Sequence, residues 1–513
     1  MFTIKNLLSL VVVVVVIICS HCLVVGAVNQ DDIKPITPNL HVHQHPHDDH
    51  DARVRRFLKQ GDLKSRRIAI VGGGVGGTSS AYFLHKLLGT DAEITLFEKE
   101  SVGGRTRSVN VCAGKSAELG GSIIHPVNDH INNLVKELHL ETVRVEDGET
   151  FAIWNGHDIV FQQSSLFSFI DVLKLLYTYH LDPITFNGLR NNVVERFLSS
   201  YKDNEPFNSV EEFFTRIGLP NITSVTAEEY FTTAGIGKPF VENILSAAIR
   251  VNYNQDYDKI AAFAAMIALV GSEDGLYSIK GGNYLLSKTL LERSKAAVLQ
   301  RNVKYIKKVD QASDNNENSP SSIFEIGVDD SNGQQTYEFD TVIIAAPLEL
   351  SKIHLENMDP TLADRIPSFQ FQTVHTYLIG ANSINQNYIN QPIGANIQNV
   401  LTSHNSSIPF FVAAKNPAGK CEDGRQVYKV FSRNSIDDSV FSSLFINHTL
   451  HVKHEWKAYP VLRPTSVFPP IKLDNELYYV NAFEHACSTM ETEVLASKNV
   501  ARLIAKSLNK QHN

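Results

Sequence analysis

One short run constrains this chain more than any other: Ile68-Ala69-Ile70-Val71-Gly72-Gly73-Gly74-Val75-Gly76-Gly77. An apolar β-rich segment, Arg67 to Val71, runs straight into a glycine cluster, and Ser79 to Leu88 continues as a helix. Gly72, Gly74 and Gly77 fill the G-x-G-x-x-G pattern that opens a dinucleotide-binding βαβ unit. The first permits a tight turn, the second lets backbone approach a pyrophosphate, and the third lets helix and strand pack closely. The helix N-terminus attracts the anion. A glycine turn without ligand would satisfy that pattern, but not Glu98, which stands 21 residues beyond Gly77 at the end of the next β-rich run, Glu93 to Phe97. An acidic side chain there binds ribose hydroxyls.

Two further glycine pairs follow. Val102-Gly103-Gly104-Arg105 begins four residues after Glu98, and its arginine offers a planar, multi-donor cation to a pyrophosphate. Glu118-Leu119-Gly120-Gly121-Ser122 offers a second bare stretch of backbone for a ring or sugar chain to approach. The chain has 513 residues, 43% of them hydrophobic, enough for about three domains and a sizeable core. Disorder throughout is excluded. A formal charge of −8 leaves no basic stripe to neutralise phosphates, so a nucleic-acid partner is excluded.

Residues 1–27 read as a signal peptide: Lys5 precedes a nearly unbroken apolar run from Leu7 to Cys19, and Val25-Gly26-Ala27 offers a cleavage site. A retained anchor is the competing reading, weakened by Ser20 and His21 within the run. Cleavage leaves Cys112, Cys421 and Cys487, so at most one disulfide forms and thiols are not expected to organise the fold. Asn221-Ile222-Thr223, Asn405-Ser406-Ser407 and Asn447-His448-Thr449 are glycosylation sequons, and three behind a signal peptide point to a luminal or secreted protein. The mature chain carries 46 basic and 55 acidic side chains, a net −9, with 19 histidines. Protonation around pH 6.5 would cancel that charge in an acidic compartment and ease contact with anionic lipid surfaces.

Residues 28–65 contain His41, His43, His45, His47 and His50 among prolines and aspartates. They read as a hydrated, disordered linker or as a metal-binding tract. The linker reading is adopted, and no metal centre is expected. Residues 127–275 read as mainly helical: Phe167, Ile170, Leu173, Leu176 and Tyr177 recur at helical spacing, as do Val210, Phe213, Phe214 and Ile217. Both stripes are expected in the core. Strand-like runs return at Phe324–Val328, Thr341–Ala345, Tyr428–Phe431 and Leu477–Asn481, a polar loop spans 311–322, and a helix covers Ala496 to Leu508.

The order Glu98, Gly103-Gly104-Arg105, Gly120-Gly121 resembles that of the glutathione-reductase-like FAD oxidoreductases of the amine-oxidase type. The likeness continues in Val342-Ile343-Ile344-Ala345-Ala346-Pro347 and in Tyr478 to Glu484. Gly120 to Pro126, Arg250 to Gln255, Ile279 to Asn283 and Glu484 to Glu491 narrow it: over about residues 66–505 the chain resembles the prenylcysteine oxidase (prenylcysteine lyase) family. The His-rich linker and the polar 311–322 stretch depart from that pattern without touching the flavin motifs.

That resemblance implies an α/β fold, a Rossmann-type FAD-binding domain assembled from residues 66–126, 276–350 and 471–510. An inserted α+β substrate domain would take 127–275 and 351–470. FAD would be held by Gly72, Gly74, Gly77, Glu98, Gly103, Gly104, Arg105, Gly120 and Gly121, with Glu484 and the Met490 backbone gripping its ribityl-phosphate part. The implied reaction transfers a hydride from the allylic carbon beside sulfur of farnesyl- or geranylgeranylcysteine to the flavin. Water adds, the hemithioacetal collapses to cysteine and a prenyl aldehyde, and O2 is reduced to H2O2. His125 is a candidate proton acceptor or a structural histidine. Arg250 and Tyr253 could hold the amino-acid end of the substrate or simply pack, and Cys487 is read as inert rather than as a flavin attachment point. The family's setting implies a lysosomal location, with secretion as the alternative. The rival functions are another flavin oxidase of this architecture, acting on amines or a polyene, and a non-catalytic isoprenoid-binding protein.

Overall fold

A single sheet, parallel except for the antiparallel edge strand Lys472–Asp474, collects strands from both ends of the chain. β1 (Arg66–Val71) enters the glycine turn that leads to α1 (Val75–Leu88), and β2 (Ala92–Phe97) follows. β3 (Ala297–Leu299), β4 (Thr341–Ile344), β5 (Lys472–Asp474) and β6 (Leu477–Tyr479) complete it, in the order β5-β6-β4-β1-β2-β3. β1 lies parallel to β2, with Ile68 opposite Ile94, and parallel to β4, with Ile68 opposite Thr341. Ile68, Ile70, Val342 and Ile344 are fully buried, as near-continuous apolar strands of a parallel sheet covered on both faces must be. α2 (Met490–Gln511) packs beside α1, where Ser497 donates to the Gly76 carbonyl at 2.7 Å. These are the elements of the computed structural model, which describes residues 65–511 apart from 113, 145–150, 164–167, 272–274, 312–321, 331–332, 393–394 and 405–406. The segments read as a signal peptide and a His-rich linker (up to residue 64), Phe167, Asn405 and nearly all of the polar 311–322 stretch lie outside the described residues.

α1 starts four residues earlier than its apolar pattern predicts. Gly74 is the extended N-cap and the glycines themselves form the first turn. Their missing side chains carry no periodicity, so the helix start is hidden from that signal.

A second sheet extends the nucleotide-binding side, in the order Gly333–Phe339, Ser322–Asp330, Val303–Asp310, His354–Glu356. The antiparallel pairing of Val303–Asp310 with Ser322–Asp330 brackets the polar stretch between two strands. His354–Glu356 pairs with Tyr305–Lys307 and carries this layer past residue 350.

The rest forms a seven-stranded sheet and a helical layer. The sheet runs Thr449–Pro460, Phe371–Ala381, Gln426–Ser432, Val412–Lys420, Val400–Thr402, Ala152–Trp154, Ile159–Gln162. Its last two strands come from the section expected to be mainly helical. Of the two helical stripes, one is core: Ser209 caps Val210–Arg216 by accepting from the Glu212 N–H at 3.1 Å, and Phe213 and Phe214 are buried against Phe483. The other is not. In Ser168–Tyr179, Leu173 is 48% and Tyr177 88% exposed, while Asp171 and Tyr179 turn inward, Tyr179 meeting Phe240 at 5.3 Å. A short helix beside a larger aromatic cluster buries the face that finds a partner, whatever its most apolar stripe.

A disulfide joins Cys112 to Cys421, 309 residues apart, and Cys487 stays free and buried. The bridge ties the hairpin of Ser108–Val111 and Lys115–Glu118 to that of Val412–Lys420 and Gln426–Ser432. Thiols therefore do shape this fold, at one point, by clamping the nucleotide side to the seven-stranded sheet.

Candidate functional site: a dinucleotide cleft continued by an apolar cavity

The two glycine turns after β1 and β2 face each other. Gly103 donates its N–H to the Gly73 carbonyl at 2.9 Å, and a side chain on Gly104 would stand 3.1 Å from the Gly74 Cα. Gly77 sits behind this cradle: a Cβ there would lie 1.9 Å from the Gly72 carbonyl oxygen, so any side chain would push α1 off β1. Glu98 closes one end, accepting from the Gly73 N–H at 2.6 Å and from the Glu100 N–H at 2.7 Å, and it lines the cleft. Bare backbone, a helix N-terminus and a carboxylate on the ribose side together fit a dinucleotide.

Arg105 reaches this cleft from the second turn, donating to the Ala458 carbonyl at 3.0 Å and to the Glu484 carboxylate. Glu484 also accepts from Asn481 and Ser488, each at 2.9 Å. Burial works to raise the Glu484 pKa, but the Arg105 guanidinium prevails and holds it below the ordinary carboxylate value. The residue expected to grip the ribityl-phosphate part thus stands one step back, fixing Arg105 from behind. Met490 lines the cleft, its sulfur 3.7 Å from where a side chain on Gly121 would begin.

The third glycine pair is locked by residues far along the chain. Gly121 donates its N–H to the Arg105 carbonyl at 3.0 Å, and Asn283 donates to the Gly121 carbonyl at 2.9 Å. Asn283 also presents its backbone N–H to Glu118 at 2.6 Å. Likewise Gln255 bridges the Pro460 carbonyl, at 3.2 Å, and the Leu462 N–H, at 2.9 Å. Both Gly281-Gly282-Asn283 and Arg250 to Gln255 therefore bind segments together around the site.

Beyond the glycine turns the cleft opens into one continuous cavity of about 860 Å³. One wall is helical and apolar, with Phe197, Leu198, Val251, Ile267 and Val270; the other is the seven-stranded sheet, with Val374, Lys429, Phe431 and Trp456. Lys429 donates to Ser122 at 2.8 Å and stands 4.7 Å over the Phe431 ring. Burial lowers its pKa to about 8, opposed by Glu118. Nothing singled out Lys429 in the sequence except that it interrupts an apolar strand, Val427 to Phe431. Its alternation in that strand is the signal, because a strand residue shares its face with those two positions away.

The remaining candidates separate. His125 lines the cavity, but its Nδ1 accepts from the Val127 N–H at 3.1 Å, which puts the neutral ring's proton on Nε2. That tautomer leaves the ring no open acceptor nitrogen, and does not suit a proton acceptor. Tyr253 is in the wall, its hydroxyl donating to the Ser488 carbonyl at 3.1 Å and 3.2 Å from the Cys487 sulfur. Arg250 does not reach the cavity. It is buried elsewhere, bound to Asp256 at 2.7 Å and stacked on Phe411, so it packs rather than holding substrate. Burial pushes the Cys487 thiol up to about 12, which keeps it un-ionised and inert. Glu491 caps the helix Asp129–Glu137, accepting from the His130 and Ile131 N–H groups at 2.9 and 3.0 Å.

Comparison with known proteins agrees with this arrangement. The family profile described as prenylcysteine lyase matches residues 161–513, and that of an NAD(P)-binding Rossmann-like domain matches residues 70–138. Prenylcysteine oxidase 1 of Homo sapiens is 32% identical over 453 residues, covering 85% of this chain and 88% of the relative. Farnesylcysteine lyase of Arabidopsis thaliana is 32% identical over 462 residues, covering 85% and 87%. Among solved structures, a putrescine oxidase double mutant superposes with a TM-score of 0.58 at 15% identity, covering 86% of this chain and 99% of that one. Cyclohexylamine oxidase from Brevibacterium oxydans superposes with a TM-score of 0.54 at 16% identity, covering 87% and 100%. The structural likenesses establish the architecture, and the sequence relatives establish more: this chain belongs to the prenylcysteine lyase family.

Proposed function

We propose that the chain is an FAD-dependent oxidase that cleaves farnesyl- and geranylgeranylcysteine to cysteine and a prenyl aldehyde. The observation that carries this reading is the continuity of the dinucleotide cleft with an apolar cavity. Gly120-Gly121 and the apolar residues Val251, Ile267 and Val270 line one space, so a hydride acceptor at the first and a long isoprenoid tail along the second would lie together. FAD, when bound, supplies the two-electron acceptor. The chain's own residues do the rest. Gly72 to Gly77 and Gly103-Gly104 would receive the diphosphate, Arg105 is held by Glu484, and Ser122 with Lys429 would supply polar contacts at the reacting end. Each buried methylene of the tail contributes about 0.8 kcal/mol, so the apolar wall can dominate binding and tolerate both chain lengths.

The reading extends to O2 as the final acceptor and to a lysosomal protein delivered through the signal peptide 1–27. Asn221 and Asn447, both exposed, and Asn405 would carry glycans. No described helix is long and apolar enough to cross a membrane. Anaerobic titration with farnesylcysteine tests the reading: the yellow protein should bleach. Bleaching by polyamines alone would favour an amine oxidase, and a colourless protein that cannot be reconstituted would sink the proposal.

A further inference from the structure

Glu493 places a carboxyl group where the dinucleotide's diphosphate is expected. It stands in the first turn of α2, is 8% exposed, and lines the cleft. Its Oε2 lies 2.8 Å from where a Cβ on Gly76 would be, so the bare backbone of α1's first turn is what admits it. Among the described residues no donor reaches this carboxyl group. α1 has no acidic residue in its own first turn. A charged carboxylate here would oppose a diphosphate at a helix N-terminus, whereas a neutral carboxyl group can donate to one.

The surroundings favour the neutral form. From the turn after β6, Glu484 presents a like charge; from the second glycine turn, Arg105 presents an opposite one, already engaged by Glu484. Tyr479 of β6 also faces this group. Burial first, then Glu484, raise the Glu493 pKa to about 8, against Arg105.

We propose that Glu493 is a cofactor-holding residue that donates a hydrogen bond to the diphosphate as a neutral acid, so that the chain retains its flavin in acid and loosens it in alkali. This rests on the FAD reading above, and the experiment separates the two. Release of flavin from the holoenzyme is followed by recovery of free-flavin fluorescence after dilution at pH 6, 7.5 and 9. Wild-type release should accelerate at least tenfold between pH 6 and 9. Glu493→Gln, whose amide donates at every pH, should change by less than twofold, and Glu493→Ser should be equally flat should the glutamine variant not fold. Parallel pH profiles in wild type and variants would overturn the role of Glu493, as would a flavin that stays bound at every pH. A colourless wild-type protein would overturn the cofactor reading itself.

Discussion

Arg105 and Glu484 form an ion pair at the back of the dinucleotide cleft, joining a turn near the start of the chain to the last segment before α2. Glu484 is fully buried, and Arg105 lines the cleft. Removing one partner of such a pair leaves an uncompensated buried charge, at a cost of about 3–5 kcal/mol. Glu484→Ala should therefore lower the thermal midpoint and yield protein with little bound flavin, read as the flavin absorbance per protein. Because Arg105 depresses the Glu484 pKa, the pair's contribution is full above the ordinary carboxylate range and fades only as pH falls through that depressed value. Unfolding at pH 5 and pH 7 should show the same loss in the variant.

The disulfide offers a second test. Cys421→Ser opens the link between the 108–118 hairpin and the seven-stranded sheet, and a disulfide of this kind typically contributes about 2–4 kcal/mol. Chemical denaturation should show that loss, and reduction of the wild-type protein should reproduce it. No such change should follow Cys487→Ala beyond its packing cost.

Lys429→Met removes the cation from the cavity wall and the donor from Ser122. A hydrogen bond to a charged group is worth about 1.5–3 kcal/mol, so anaerobic flavin reduction by farnesylcysteine should slow by about 10- to 100-fold. Flavin content should not change. Since burial brings the Lys429 pKa down to about 8, its charge is complete well below that pH and lost above it. The gap between wild type and variant should narrow as pH rises past 8.

Gly77→Ala tests the cradle itself. Its new methyl group would meet the Gly72 carbonyl at 1.9 Å, a backbone contact that no rotamer relieves. The variant should be flavin-free, or lose flavin on gel filtration, while Gly188→Ala, at an open position inside the helix Asp182–Ser199, should keep it.

Much of the nucleotide half was readable in advance because its constraints are local. The glycine turn, Glu98 and the strands on either side act within one βαβ unit, and steric rules at Gly72 and Gly77 leave few other residues possible. Arg250 shows where that logic stops. A cation in a family motif reads equally as substrate anchor or packing, and only the position of Asp256 and Phe411 assigns it to packing. His125 is similar: its tautomer follows from the Val127 backbone, which no spacing rule displays.

The sequence by itself determined that a dinucleotide would lie at the C-terminal end of β1 and β2, and which glycines would receive it. It determined also that distant segments would rejoin that sheet. Only the tertiary structure decided that Glu484 stands behind Arg105, that Lys429 enters the cavity, and that Glu493 reaches the first turn of α1. These are contacts between residues 307 to 417 positions apart, set by how the sheets and α2 pack, and burial and charge at such meeting points leave no mark on local pattern.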